Sequence, residues 1–247
     1  LPAVPATYWN IARVAGQSGS SAADIAAVVQ TDPGLTARVL QLANSTIFGR
    51  AARIGSIAHA VSYLGVELLR SLVLTAHAFS CLDMQRARGF SLDDFQLYSI
   101  RVARLAQRFA GTKELAEEAF TAGILHDIGE LVLAVQRPDQ FSQVLQRVAR
   151  TGEARRAVED EVIGARHEDV GAHVLETWGI PLSTIECVAF HHRPREARCC
   201  AGTPLPYVHA ADALYGIVGF GDSESSLDVE YLEQCGLKDH IDGWRRL

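Results

Sequence analysis

Apolar side chains in this chain recur at spacings of three and four, as in Leu69, Leu72, Val73, Ala76 and Phe79, while runs alternating apolar with polar residues are hard to find. A period near 3.6 lays such positions along one helical stripe, whereas a half-buried strand needs a period of two. The pattern predicts an all-α fold. Punctuation agrees with it: Ser21 with Asp24 three positions on reads as a capping box, Asp32-Pro33 as a cap with proline in the first turn, and Ser56 and Ser91 as further caps. Gly65, Gly111, Gly152 and Gly179 follow periodic segments where a left-handed cap is expected, and Pro138, Pro181, Pro194 and Pro204 punctuate the second half. The helices expected are near 5–16, 21–31, 33–46, 56–64, 66–82, 92–110, 113–125, 129–136, 138–150, 167–178, 181–192, 205–219 and 228–235.

Composition bounds the function. At 247 residues, 48% hydrophobic and 21% charged, the chain can bury a substantial core. No run reaches the roughly 18 apolar residues of a membrane span, and no charged-then-apolar signal segment opens the chain, so a membrane role is not expected. The start at Leu1 points to a segment of a longer polypeptide. Cys81, Cys187, Cys199, Cys200 and Cys235 are an odd set without CxxC spacing, which argues against a disulfide framework or zinc knuckle and for a reducing cytoplasm. A net charge of -6 argues against a broad nucleic-acid surface. The run Arg147, Arg150, Arg155, Arg156 is interleaved with Glu153 and Glu159 and reads as a solvated face of mixed sign.

The polar segment 84–90, MQRARGF, separates the apolar helices of the first third from the rest. Residues 1–90 are expected to form a helical subdomain without chemistry, and residues 91–247 to carry the site. With connections this short, the two are expected to pack as one module.

The chemistry-bearing residues lie in that second part. His126-Asp127 offers an imidazole and a carboxylate side by side, and His167, the doublet His191-His192 and Asp212 follow in segments that read as helix. Converging in a bundle, they would supply the ligands of a metal-assisted phosphohydrolase. Each has a competing reading: aspartate often caps helices, and His191-His192 could be a hydrogen-bonded pair joining helices. His59, His77, His173, His209 and His240 have no matching spacing and read as structural or exposed.

The blocks LPAVPATYWNIARV, DPGLTARVLQLANSTIFG, VSYLGVELLRSLVL, EEAFTAGILHDIGELVLA, HEDVGAHVLETWGIP, AFHH and HAAD run along nearly the whole chain. In that order they resemble the HD superfamily, and more closely its regulatory branch, the HDOD (HD-related output domain) family. The resemblance implies an N-terminal helical bundle packed on an HD-like helical core. It implies a first-metal set of an early histidine, His126, Asp127 and Asp212, but Tyr98 stands where that histidine is expected. A phenol with a pKa of about 10 is a poor ligand at neutral pH. His167, His191 and His192 resemble the second-metal ligands of two-metal relatives, and Asp94, one turn before Tyr98, falls where those relatives place an acidic ligand. No cofactor is expected on this ligand set; the alternative is one divalent ion (Mn, Fe or Mg) on Asp127, His167, His191 and His192, with or without Asp94. Glu130 replaces a common lysine and would repel a phosphate, and His191-His192-Arg193-Pro194-Arg195 lacks the Gly-Tyr-Pro triplet of cyclic di-GMP hydrolases. The resemblance thus implies a cytoplasmic, non-catalytic signalling output that contacts a protein partner or an adjacent receiver or cyclic-dinucleotide-related domain. The alternatives are a residual phosphohydrolase and a nucleotide sensor.

Overall fold

A computed structural model describes residues 6–45, 54–81, 87, 89–197, 202–216 and 226–246. Every regular element among the described residues is helical. The helices are α1 (Ala6–Ala15), α2 (Ala22–Val29), α3 (Pro33–Ala43), α4 (Ile57–Leu64), α5 (Val66–Cys81), α6 (Leu92–Phe109), α7 (Lys113–Leu125) and α8 (Ile128–Gln136). There follow α9 (Pro138–Thr151), α10 (Arg155–Val162), α11 (His167–Thr177), α12 (Leu182–Phe190), α13 (Leu205–Gly216), α14 (Val229–Gln234) and α15 (Ile241–Trp244). Short 3-10 turns occupy Pro194–Glu196 and Lys238–His240. No helix of the described residues is long and apolar enough to cross a membrane.

The expected caps form, because each side-chain oxygen takes an N–H that the first helical turn leaves without a carbonyl partner. Ser21 and Asp24 close a reciprocal capping box on α2, Asp32 accepts from the Leu35 N–H ahead of Pro33, and Ser56 and Ser91 accept from the N–H groups of His59 and Asp94. Gly152 and Gly179 take positive φ (67° and 66°) as expected, and Gly65 does so at 86°. Gly111 does not, because Ala110 ends α6 in an extended conformation while its N–H bonds to the Ala106 carbonyl. Helix α10 was not expected. Its start at Ala154 has no side-chain cap, and RRAVEDEV has too few apolar residues to show a stripe.

The chain divides into two compact units, Leu1–Leu82 and Asp83–Leu247. Most of the expected boundary segment, 84–90, lies outside the described residues. In the first unit α5 packs on α1, α3 and α4, and Leu69, Leu72, Val73 and Ala76 are buried, so the stripe is core; the Phe79 side chain lies outside the described residues. In the second unit α6 and α7 pack side by side with α13 against both, while α11 bridges α8 and α12. Val102, Ala106, Ala122, Val208 and Ala211 fill the seam between α6, α7 and α13, and Phe109 stacks on Trp244 at 4.6 Å. Cys187 is a buried free thiol within this core, whereas Cys199 and Cys200 lie outside the described residues.

Two glycines set how closely α8 and α11 approach. A Cβ on Gly129 would lie 1.8 Å from the His167 carbonyl oxygen and 2.8 Å from the Gly171 N, and one on Gly171 would lie 3.2 Å from the Gly129 N. The two helices touch backbone to backbone, which places His167, the first residue of α11, beside Gly129 in the first turn of α8.

Candidate metal centre

His126 and Asp127 occupy the junction of α7 and α8: His126 caps the C-terminus of α7, and Asp127 stands at the N-cap of α8. The Asp127 side chain makes no capping hydrogen bond. The simplest competing account of that aspartate, a helix cap, is therefore excluded. His167 is the first residue of α11, His191 and His192 follow the last turn of α12, and Asp212 sits inside α13.

These elements bring all six expected residues together. His126 Nε2 lies 2.9 Å from Asp127 Oδ2 and 3.5 Å from Asp212 Oδ1. Asp127 Oδ1 lies 3.3 Å from His191 Nε2 and 3.6 Å from His167 Nε2, and His167 Nε2 lies 3.1 Å from His192 Nε2. Ligand atoms of Asp127, His167, His191 and His192 fall within 4.8 Å of one another, as do those of His126, His191 and Asp212. Two adjoining sets thus share His191. Asp94 is in neither; it is exposed in the first turn of α6, where a carboxylate favours the positive end of the helix dipole.

Three of the rings are aimed by their other nitrogen. His126 Nδ1 is 2.7 Å from the Gly123 carbonyl oxygen and His191 Nδ1 is 2.8 Å from that of Val188. A carbonyl only accepts, so Nδ1 carries the proton in both and Nε2 faces the centre. His126 and His191 end helices, so a carbonyl three residues back is at hand. His167 begins a helix and has none. Its acceptor is Glu159, a fully buried residue of α10 whose carboxylate takes the His167 backbone N–H at 2.9 Å and Nδ1 at 2.9 and 3.1 Å. Acceptors behind imidazoles are what a metal centre requires, since they fix the ring and raise the basicity of the facing nitrogen. Glu159 was missed because an acidic residue in a charged segment reads as solvated. The signal was present: a histidine opening a helix needs a side-chain acceptor from elsewhere.

Three of the facing atoms have ion-pair neighbours but no hydrogen bond. His126 Nε2, His191 Nε2 and Asp127 Oδ1 are buried without a hydrogen bond, since their close approaches do not meet hydrogen-bond geometry. Buried polar atoms are rarely left so. The donor set fits a divalent cation.

The charges of the centre are strongly coupled. Burial would raise the Asp127 carboxyl, but His126, His191 and His167 hold it well below the usual range. Burial would lower His167, but Glu159 beside it, with Asp127 and Glu130, pushes it up to about 10. His126 is likewise raised against burial by Asp127 and Asp212, while burial, then the imidazoles of His191 and His167 beside it, lower His192. With His167 protonated and His192 neutral, the 3.1 Å contact between them is a donor meeting an acceptor.

Tyr98 donates its hydroxyl hydrogen to Asp212 Oδ1 at 2.6 Å. Burial, then the negative charges of Asp212 and Asp127, push the phenol pKa far up, so it stays neutral and acts as a donor. The corner expected to hold an imidazole thus occupies one carboxylate oxygen of the His126, His191, Asp212 set.

Charges around the centre are largely paired. Glu130 is buried and ion-paired with Arg155, so the expected repulsion of a phosphate is offset by a cation from α10. Arg156 Nε bonds to the fully buried Glu168 at 2.5 Å, and Arg147 Nη2 to Glu153 at 2.5 Å. The mixed-sign run is therefore not simply a solvated face: Arg155 and Arg156 are part-buried and hold up the centre. His209 is structural, with Nδ1 donating to the His191 carbonyl at 2.7 Å and Nε2 accepting from the Asp228 N–H at 2.9 Å. His59, His173 and His240 are exposed. Beside His192 and His209 opens a cavity of about 480 Å³, lined also by Arg193, Arg195, Asp228 and Glu230.

Comparison with known proteins gives the family and the fold. The chain is similar over its whole length to an HDOD domain protein of unknown function from Geobacter sulfurreducens, at 27% identity and a TM-score of 0.75, covering 83% of that chain. It is similar, again over its whole length, to a Shewanella amazonensis SB2B protein named "Putative phosphohydrolase", at 28% identity and a TM-score of 0.73, covering 89% of that chain. Over 97% of its length it is similar to the MmoQ response regulator of Methylococcus capsulatus str. Bath, at 25% identity and a TM-score of 0.50, covering 95% of that chain. A curated relative, an uncharacterized protein of Treponema pallidum (strain Nichols), is 25% identical over 196 residues; the match takes in 78% of this chain and 37% of the relative's length. The HDOD domain family matches residues 1–194, which includes His126, Asp127, His167, His191 and His192, and the chain belongs to that family.

Proposed function

We propose that the chain is a regulatory output module that acts through contact with a protein partner or an adjacent receiver or cyclic-dinucleotide-related domain. Its centre holds one divalent ion as a structural tie and does not turn over a phosphoester. The observation that carries this reading is the Tyr98 hydroxyl on Asp212 Oδ1 at 2.6 Å. A neutral donor there weakens the His126, His191, Asp212 set and leaves Asp127, His167, His191 and His192 as the complete one. Three imidazoles and a carboxylate suit Fe or Mn better than Mg, which prefers oxygen ligands. Such an ion would join the α7–α8 junction, the start of α11 and the end of α12. Hydrolysis by a pair of ions, which clamps attacking and leaving oxygens together, needs both sets. Likeness to a response regulator supports a signalling role.

A second reading, a single-ion phosphohydrolase, is favoured by the Nε2 atoms of His126 and His191, buried without a hydrogen bond, and by the name of the Shewanella relative. Protein purified without chelator separates the two. Metal content near one ion per chain, with no Mn²⁺- or Fe²⁺-dependent cleavage of phosphomonoesters, nucleotides or cyclic dinucleotides, is expected. Turnover that disappears in Asp127→Ala would establish the second reading instead.

A further inference from the structure

Arginines surround the centre, and the charge each faces separates one from the others. Arg155 faces Glu130, Arg156 faces Glu168, Arg193 Nη2 is 2.5 Å from Asp169, and Arg195 Nε is 2.6 Å from Asp228. Arg101, on α6, is part-buried and faces a neutral group: its Nη1 donates to the Tyr215 hydroxyl, with the guanidinium carbon 5.5 Å from that ring's centroid. Among the described residues no carboxylate lies within ion-pair distance of it. A guanidinium has five donors in a fixed fork, so most remain for an incoming group.

Its placement ties it to the centre. Tyr98 and Arg101 lie three residues apart on α6, and Asp212 and Tyr215 three apart on α13, so each pair follows one helix face with an axial step of about 4.5 Å. The helices pack together, Tyr98 bonds to Asp212, and the Tyr98 and Tyr215 rings are 5.3 Å apart. The Arg101–Tyr215 pair is the next rung beyond the Tyr98–Asp212 pair. A divalent ion would balance Asp127 and Asp212, and Arg101 places one further positive charge on the α6–α13 flank.

We infer that Arg101, oriented by Tyr215, binds the phosphoryl group of a ligand at the edge of the centre, the group being inorganic phosphate or the phosphate of a nucleotide. The inference rests on the reading of the centre as a cation site, because without the ion the two carboxylates oppose an anion. Bidentate oxyanion recognition is the chemistry a guanidinium fork performs best.

The test titrates inorganic phosphate and, separately, adenosine 5′-monophosphate into the full chain by ³¹P NMR or calorimetry, with and without Mg²⁺, while Mn²⁺ affinity is measured independently by paramagnetic resonance. Phosphoryl affinity is expected to fall at least about tenfold in Arg101→Ala and less in Arg101→Lys, which keeps the charge but not the fork. Mn²⁺ affinity without phosphate is expected to be unchanged. Tyr215→Phe, which removes the orienting phenol, should weaken phosphoryl binding several-fold; with Arg101→Lys it decides the matter if Arg101→Ala does not fold. Binding of both probes identifies the phosphoryl group itself as the determinant, and binding of the nucleotide alone, still dependent on Arg101, identifies a nucleotide phosphate. Equal binding by wild type and the Arg101 variants, or no binding of either probe by wild type, overturns the inference. Arg101-dependent phosphate binding without any Mn²⁺ uptake would overturn the cation reading and the charge argument drawn from it, and would support Arg101 as a phosphoryl site that needs no ion.

Discussion

Replacing Glu159 with glutamine removes the charge behind His167 while leaving the volume of the side chain almost unchanged. In the structure this carboxylate takes two N–H groups of one residue, the backbone N–H at 2.9 Å and Nδ1 at 2.9 and 3.1 Å, from a site with no exposure to water. A glutamine has one acceptor oxygen, so its NH₂ must turn toward a donor and one bond is lost. Supports of this kind typically govern about 10- to 100-fold of metal affinity, equivalent to about 1.4–2.7 kcal/mol. The expected result for Glu159→Gln is a Mn²⁺ dissociation constant raised within that range, by paramagnetic resonance or calorimetry. The lost charge-assisted bond should also lower the stability of the chelator-treated protein by about 1.5–3 kcal/mol. Mn²⁺ affinity equal to wild type, with the stability loss alone, would mean that Glu159 only fastens α10 to α11 and that His167 is not a ligand.

Tyr98→Phe removes the hydroxyl from a buried carboxylate and is expected to cost about 1.5–3 kcal/mol in chemical denaturation while leaving Mn²⁺ stoichiometry unchanged. Gly129→Ala would drive a methyl group into the His167 carbonyl, 1.8 Å away, so loss of folded protein or of Mn²⁺ binding is expected by circular dichroism and dialysis. His167, with its pKa pushed up to about 10, stabilises the metal-free fold fully below pH 6.5, and this contribution is lost as the pH rises through about 10. The melting temperature of chelator-treated protein should therefore decline over that window. Ion binding displaces the proton from His167 Nε2, so Mn²⁺ affinity should rise from pH 6 to pH 8, with proton release measured by calorimetry in buffers of different ionisation enthalpy.

The fold was legible wherever local chemistry decides it. Ser21, Asp32, Ser56 and Ser91 each cap the helix that their side chains announce, because the orphan N–H groups of a first turn need an acceptor within three residues. Helix α10 was not legible, since its start has no cap and its packing depends on ion pairs reaching Glu130 on α8 and Glu168 on α11. At the centre, His126, Asp127, His167, His191, His192 and Asp212 announced themselves by residue type. What holds them did not. The Glu159 clamp and the Arg155 and Arg156 pairs depend on tertiary placement, and read along the chain they are one more charged segment. Gly129 lies between: glycine inside a helix signals close approach, but only the fold shows that His167 is what approaches.

The proposed role of the centre requires Asp127, His167, His191 and His192 to form one complete cation site beside an incomplete one. Equilibrium dialysis of the full chain against Mn²⁺ counts the ions directly. One tightly held ion per chain, lost in Asp127→Asn, is the result predicted. Two ions per chain, or none in a well-folded sample, would contradict it.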